Sequence, residues 1–478
     1  MTAKIAFSVF KEKYASDIRF WIVFFFVLRL YGITDPPIEI SHSWRQSLTN
    51  MIARNFLEID NNILYPRIDM DGNKTGIIAS EFPLLNYLIY LCSEMFGYAH
   101  WYGRLINLLI SSIGVFYFYK LIKRFFSHEL AFYSALILLC SIWFAFSRKS
   151  MPDTFCMSLV IIGVYNGFNY LYDAKLRYLL AFFLFSSLAV LSKIPALYLL
   201  SILVIPLFDK NVKYNLKINI ILAGMLILLV VYAWYFYWVP YLLATYGFQL
   251  YFPKHFMEGI NELIQYGSDT LEKFYFSALQ SFLAFALFIF GLFILIKQKQ
   301  KLAFVIVVIS TLFFILFIIK TGFVFSVHNY YVIPFVPVMA FVVAIAINSI
   351  KNKYWKVALV GLVIIESIGN QQHDFFVNKS EIYKLSLESI AEKVSLPDDL
   401  VAINGDKNPQ HMYFLHRKGW TITNSNAEDS AFVDSIVCLG CKFLFMDKHS
   451  LSGMGTSTHK NKNIVFENED FIVFSLRN

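Results

Sequence analysis

Residues 34–56 read TDPPIEISHSWRQSLTNMIARNF, residues 64–76 read LYPRIDMDGNKTG and residues 81–97 read EFPLLNYLIYLCSEMFG. A very apolar segment, residues 19–33, comes before them, and another begins at Gly103. The flanking segments are dominated by Phe, Leu and Ile, whereas this loop, residues 34–102, collects polar and ionisable side chains. A membrane protein that concentrates its charge in one loop beside the bilayer is expected to work there.

The surrounding composition supports that reading. The chain has 478 residues, is 58% hydrophobic and 15% charged, and contains 50 Phe. Apolar runs recur at close to the roughly 20 residues that cross a bilayer, which makes this a polytopic helical membrane protein. The formal net charge of +8 is not read as a nucleic-acid signal. The basic residues fall in short loops between apolar runs, where they orient the chain in the membrane. Five cysteines are too few and too scattered for a disulfide scaffold, and Cys92, Cys140 and Cys156 lie in apolar surroundings that suit packing. The amino terminus is polar and the first apolar run is long enough to remain an anchor, so no cleavable signal is expected.

About eleven spans are predicted, over residues 19–33, 103–122, 130–146, 154–171, 178–191, 196–208, 218–239, 277–296, 302–319, 332–350 and 357–368. An amphipathic stretch, residues 240–276, interrupts them. With the amino terminus inside, the loops KLIKRFF, YDAKLRY, DKNVKYNLK, KQKQK and KNKYWK all fall on the cytoplasmic side, and all are short and basic. The long first loop, SRKSMPD, SKIP, residues 240–276, SVHNYY and the carboxy-terminal tail fall on the other side. From about residue 371 the pattern becomes that of a small soluble α/β domain. LVAING, WTIT, KFLFMD, NIVFEN and FIVFSL read as strands. KSEIYKLSLESIAEKV, NPQHMYFLHRKG and DSAFVDSIVCLG read as helices. CLGC is read as a helix end with two incidental thiols rather than a redox motif.

Several residues can carry chemistry. His42, Arg45 (or Gln46) and Thr49 recur at helical spacing and share a face, with Trp44, Ile52 and Phe56 around the apolar side. This predicts an amphipathic helix at the outer interface. Its guanidinium can grip a phosphate bidentately, or Arg and Trp can serve as headgroup-level anchors. The loop acids are Asp35, Glu39, Glu58, Asp60, Asp69, Asp71 and Glu81. Glu81 stands before a proline and an apolar helix, and Asp35 follows the first span. Asp153 opens the fourth span on the same side, a position that also suits a helix N-cap. Lys193, in SKIPA, either snorkels to the interface or pairs with an anionic group. His328, in VHNYY, suits an aromatic belt or a headgroup pocket. Arg45, Glu81, Arg148, Asp153, Lys193 and His328 all map to the outer face. No His and acid residues show metal-ligand spacing, and a divalent-metal requirement is left open.

HSWRQSLTNMIARNF, YPRIDMDG, EFPLLNYLIYL with FG and GRL after it, SRKSMPD, LSKIPALYLL and HNYYVIPFVPVMA occur in an order that resembles one family. It is the protein O-mannosyltransferase and lipid A aminoarabinose transferase superfamily, the membrane glycosyltransferases of the C fold. The resemblance covers about three quarters of the chain. It implies a catalytic acid in the first extracytoplasmic loop, a sugar donor on polyprenyl phosphate, and inverting transfer to a hydroxyl or phosphate acceptor. A carboxylate would take the acceptor proton, and cationic side chains would stabilise the phosphate leaving group. Many relatives carry an Asp-Glu pair where this chain, aligned on the Ala53–Arg54 step, has Arg45 and Gln46. The subgroup with WRQ carries an Asp where this chain has Leu48. The resemblance therefore leaves the base among Glu81, Asp35, Asp153 and His42. Glu81 is preferred because it matches the acidic position before the family's proline-containing segment. Arg45, Lys193 and Arg148 are assigned to phosphate contacts, with Gln46 beside Arg45 among the substrate-binding side chains. His328 and Tyr330 are assigned to the lipid-phosphate or acceptor side.

The expected architecture is mainly α: a polytopic C-fold membrane domain, residues 1–370, and a small extracytoplasmic α/β domain, residues 371–478. The expected activity is sugar transfer from a polyprenyl-phosphate donor to an envelope glycan, lipid or protein on the outer face of the cytoplasmic membrane. A transporter or flippase of lipid-linked saccharides would place its site at broken helices near the midplane, whereas the charges here gather at one interface. A relative that has lost catalysis and acts as an assembly partner is the reading that the missing Asp-Glu pair supports.

Overall fold

A computed structural model describes residues 16–248, 254–450 and 462–477. The amino-terminal lysines, and residues 249–253 of the interrupting stretch, lie outside the described residues. The chain divides into two compact units. One comprises Met1–Ile33, Gly103–Tyr237 and Tyr251–Phe375, and the other Thr34–Tyr102, Trp238–Leu250 and Phe376–Asn478.

The first unit is helical. Every one of the eleven predicted apolar stretches forms helix, from Ile18–Arg29 at the start to Lys353–Gln371 at the end. Among the described residues five helices are long and apolar enough to cross a membrane: Tyr102–Phe125, Pro152–Asp173, Tyr214–Tyr246, Lys301–Thr321 and Asn329–Ser349. Gly267–Ser277 and Phe282–Lys297, bent by 93°, make a sixth if counted as one span. The other apolar stretches are shorter helices because the chain breaks within them. The 130–146 stretch divides at Ser141, where His128–Cys140 ends in an extended residue. The SKIP segment divides at Lys193, extended at φ −164°, between Leu176–Ser192 and the 3-10 helix Ile194–Phe208.

Burial separates the centre of this unit from its rim. Pro152–Asp173 and Asn329–Ser349 are enclosed almost throughout, whereas Lys301–Thr321 leaves Phe304, Leu312, Phe313 and Leu316 exposed. Large apolar side chains exposed in that number on one helix belong against lipid. The enclosed helices meet their neighbours through small residues, as helices packing inside a bilayer do. A Cβ added at Gly163 would lie 2.3 Å from Ser186 Oγ, and one added at Gly114 would lie 2.4 Å from Ser158 Oγ.

The bent pair has its own stabiliser. Glu366 accepts hydrogen bonds from Ser281 Oγ (2.5 Å) and from the backbone N–H groups of Phe282 (2.9 Å) and Leu283 (3.3 Å). A carboxylate at a helix N-terminus satisfies free donors and complements the helix dipole. Glu366→Ala is therefore expected to destabilise the chain by about 1–2 kcal/mol, and Glu366→Gln by less. Thermal midpoints in detergent would show it, and equal midpoints for the two variants would remove the capping role.

The second unit joins the first loop to the tail. Five strands form one sheet in the order β2-β1-β3-β5-β4: β1 Leu400–Ile403, β2 Gly419–Thr421, β3 Cys441–Asp447, β4 Asn463–Glu467 and β5 Phe471–Ser475. β2, β1 and β3 are parallel, and β5 runs antiparallel to both β3 and β4. The tail strands and helices lie where their sequence patterns put them. One face of the sheet, through Val401, Ile403, Phe443 and Phe445, shares a core with Ile38, Leu48, Met51, Ile52, Phe56, Ile68 and Ile78 of the first loop. That core corrects the expectation of an amphipathic helix lying on the membrane interface. The helix Ser43–Glu58 is buried without a break from Gln46 to Phe56. His42 precedes it as a left-handed residue (φ 58°) rather than sharing its polar face.

Candidate active site

In the helical unit the SRKSMPD turn is built by Asn107, a residue that sequence reading passed over. Its amide donates to the carbonyls of Phe146 (3.1 Å), Lys149 (2.8 Å) and Met151 (3.2 Å). Its oxygen accepts from Thr154 Oγ1 at 3.0 Å. The turn orders two buried cations. Arg148 donates to the carbonyls of Arg29 (3.2 Å), Tyr31 (2.8 Å) and Asp374 (3.1 Å) and stacks 4.4 Å over the Phe375 ring. Lys149 Nζ pairs with Asp374 Oδ1 at 2.9 Å. Arg148, assigned above to phosphate, thus braces helix ends with donors that a phosphate would have needed.

Beyond the turn, Pro152 starts the helix Pro152–Asp173 and puts Asp153 in its first turn. Proline suits that position because its missing N–H would have had no helical partner. Asp153 is 4% exposed. Its Oδ1 accepts from Lys193 Nζ, and its Oδ2 is buried with no hydrogen-bond partner among the described residues. Lys193 sits where two helices part, which frees its side chain from either helix face. Its ammonium lies 4.7 Å above the Tyr330 ring and 5.1 Å above Tyr331. His328 stacks on Tyr330 at 5.2 Å and 18°. The structure therefore brings together Asp153, Lys193, Tyr330 and His328, four of the residues predicted to carry function.

In the second unit the helix Ser43–Glu58 carries two adjacent side chains to two carboxylates. Arg45 Nη2 donates to Glu81 Oε1 in a part-buried ion pair. Gln46 Nε2 donates to Glu39 Oε2. Glu39 is 2% exposed, and its backbone bridges to Val377. In sequence it reads as a solvated loop acid, and only its place between two apolar residues, Ile38 and Ile40, hinted otherwise. Asp35 lies half-buried before Pro36.

The far end of the same helix is tied to the tail by a titratable clamp. His416 Nδ1 faces Glu388 at 2.7 Å and Nε2 faces Glu58 at 2.9 Å. Both nitrogens can be donors only in the imidazolium. Hydrogen bonding to Glu388 and then to Glu58 raises the His416 pKa to about 9. A raised folded-state pKa gives stability that is complete below the unfolded value and is lost as pH rises through the folded one. Hydrogen-exchange protection over Pro409–Leu415 is therefore expected to fall between about pH 6.5 and 9, and His416→Gln to flatten that slope. A slope unchanged in the variant would remove His416 as its source.

Among the described residues no group of three or more His, Cys, Asp or Glu side chains could hold a metal ion. The acids found here are instead engaged one by one by Arg45, Gln46 and Lys193.

Residues 80–238 match the family described as dolichyl-phosphate-mannose-protein mannosyltransferase. An uncharacterized protein of Aquifex aeolicus (strain VF5) is 29% identical over 295 residues, 60% of this chain. The match spans 56% of that relative. ArnT from Cupriavidus metallidurans bound to undecaprenyl phosphate has a TM-score of 0.64 at 12% identity, over 95% of this chain and 98% of that one. The archaeal oligosaccharyltransferase AglB from Archaeoglobus fulgidus, in complex with an inhibitory peptide and a dolichol-phosphate, has a TM-score of 0.56 at 12% identity. That match covers 90% of this chain and 69% of AglB. At such identities the likeness is one of fold. The family match spans the end of the first loop and the helices that follow it, and the chain shares the fold of the ArnT and AglB structures over nine tenths or more of its length.

Proposed function

We propose that this chain is an integral membrane glycosyltransferase that takes a sugar from a polyprenyl-phosphate donor. It passes the sugar, with inversion, to an envelope glycan, lipid or protein on the outer face of the cytoplasmic membrane. Residues 1–370 would form the membrane domain and 371–478 an extracytoplasmic domain, with the amino terminus in the cytoplasm. The family match supports this reading, as do the polyprenyl phosphates named in the ArnT and AglB structures.

The observation that carries it is the enclosed Asp153–Lys193 pair with its tyrosine wall. An ionisable pair inside a helical membrane unit is expensive and marks function more often than support. Lys193 has three donors and gives one to Asp153. The other two suit the oxygens of a donor phosphate, whose leaving-group charge the ammonium would stabilise. In the transfer step the acceptor oxygen bonds to the anomeric carbon while the bond from that carbon to the phosphate oxygen breaks. The electron pair stays on the phosphate, and the acceptor's proton goes to a carboxylate. An inverting displacement puts base and leaving group on opposite faces of the sugar. Asp153, in contact with Lys193, therefore serves to aim it, and Glu81 is the proposed base. The unpartnered Asp153 Oδ2 favours one alternative, in which Asp153 itself takes the proton.

A transfer assay in lipid with radiolabelled polyprenyl-phosphate sugars and an envelope extract as acceptor tests this. Lys193→Ala is expected to lower kcat/KM roughly ten- to hundredfold, with a fall in kcat because the charge on the leaving phosphate is no longer stabilised. Asp153→Asn is expected to raise KM with kcat largely kept. A collapse of kcat in Asp153→Asn would move the base to Asp153, and no transfer from any donor would overturn the enzyme reading.

A further inference from the structure

At the end of the helical unit that carries KLIKRFF and YDAKLRY lies a cavity of about 660 Å³ that the transfer chemistry does not use. Its walls include Arg19, Lys120, Lys123, Arg124, His128 and Tyr165. Two of these cations are already neutralised. Arg19 pairs with Asp17 at 2.6 Å, and Arg124 pairs with Asp173 at 2.7 Å and donates to Asn169 at 2.6 Å. Lys120 and Lys123 make no ion pair among the described residues. Aromatic faces hold them instead: Lys120 lies 4.7 Å from Tyr165 and 5.2 Å from Tyr117, and Lys123 lies 5.5 Å from Tyr119. Cation–π contact fixes an ammonium without cancelling its charge, so both lysines stay available to an anion. His128, the first residue of His128–Cys140, also lines the cavity, and the positive end of that helix dipole adds to the same potential, whereas the Asp17 carboxylate in the wall caps the start of Ile18–Arg29 and offsets its dipole.

We propose that this cavity is a phosphate-binding site filled by the headgroup of an anionic phospholipid. Three features suit that ligand. Two uncompensated ammonium groups match a phosphate diester and its second charged or hydroxylated group. Phe116 in the wall suits the start of the acyl chains. The short basic loops put this end of the helices on the side where anionic lipid is concentrated and basic pockets recruit it.

The test uses the full chain in detergent, titrated with phosphatidylglycerol, phosphatidylcholine or inorganic phosphate and read by native mass spectrometry and thermal midpoint. Phosphatidylglycerol is expected to bind and stabilise, and phosphatidylcholine to do neither. Lys120→Gln/Lys123→Gln is expected to weaken phosphatidylglycerol binding roughly 20-fold. Lys120→Arg/Lys123→Arg, which keeps the charge, should bind as the unaltered chain does, as should Lys297→Gln/Lys299→Gln, which removes charge from another basic loop. Equal binding of the two lipids, or full binding in the Gln pair, would overturn the site. Stabilisation by inorganic phosphate without binding of phosphatidylglycerol would overturn its lipid source and leave a soluble phosphate as the ligand. Sugar transfer enters none of these readouts, so the outcome is separate from that of the proposed activity.

Discussion

Glu81→Gln is expected to lower kcat for sugar transfer by roughly two to four orders of magnitude, the usual share of a general base, while donor KM changes little. The amide keeps the size of the carboxylate and can still accept a hydrogen bond from Arg45, whose Nη2 donates to Glu81 Oε1. It cannot take a proton from the acceptor. A structural role would give a different pattern. The ion pair is only part-buried, with side-chain exposures of 14% and 22%, and a pair so placed contributes little to stability. The thermal midpoint should therefore stay near that of the unaltered chain. Lost stability together with lost activity would make Glu81 a brace for the loop. Unchanged kcat would move the base to Asp153, or to Glu39, the buried acid held by Gln46.

The helices were legible because an apolar run of membrane length has few alternatives. The tail was legible because strand alternation and helix periodicity differ within a few residues. Side-chain partners were less so. Arg148 and Lys149 are neighbours with the same charge, and nothing local says that one braces carbonyls while the other meets Asp374. Asn107 reads as one polar residue in an apolar helix, yet it organises a turn some forty residues away. The shared core of loop and tail was invisible for a related reason. Ile38, Leu48 and Phe56 show that the loop buries an apolar face, but their partners Val401 and Phe443 lie more than three hundred residues on. Lipid would have satisfied the same face, so the interfacial helix was an equally consistent reading until the tail was seen to cover it.

That shared core leads to the largest expected effect on stability. Asp69 stands under the helix Ser43–Glu58, with Oδ2 accepting from Arg54 Nη2 at 3.1 Å and Oδ1 from Asn55 Nδ2 at 2.8 Å. Arg54 also donates to the Tyr413 carbonyl at 3.1 Å and lies 4.9 Å over that residue's ring. One carboxylate thus fixes the cation that joins the loop helix to Pro409–Leu415 of the tail. Arg54 and Asp69 are 5% and 6% exposed, so Asp69→Ala leaves a guanidinium with no counter-charge and no route to water. Removing one partner of such a pair costs roughly 3–5 kcal/mol. Asp60→Ala, which breaks the more exposed Asp60–Arg67 pair at 2.6 Å, should cost about 1 kcal/mol or less. The double change Arg54→Met/Asp69→Leu removes both charges and keeps apolar volume, and should recover most of the loss. Hydrogen exchange over Ser43–Glu58 and Pro409–Leu415, with thermal midpoints, reads all three variants. Equal destabilisation by Asp69→Ala and Asp60→Ala would mean that burial does not set the value of the pair. Failure of the double change to recover would mean that the geometry Arg54 imposes on Tyr413, rather than the enclosed charge, holds loop and tail to their common core.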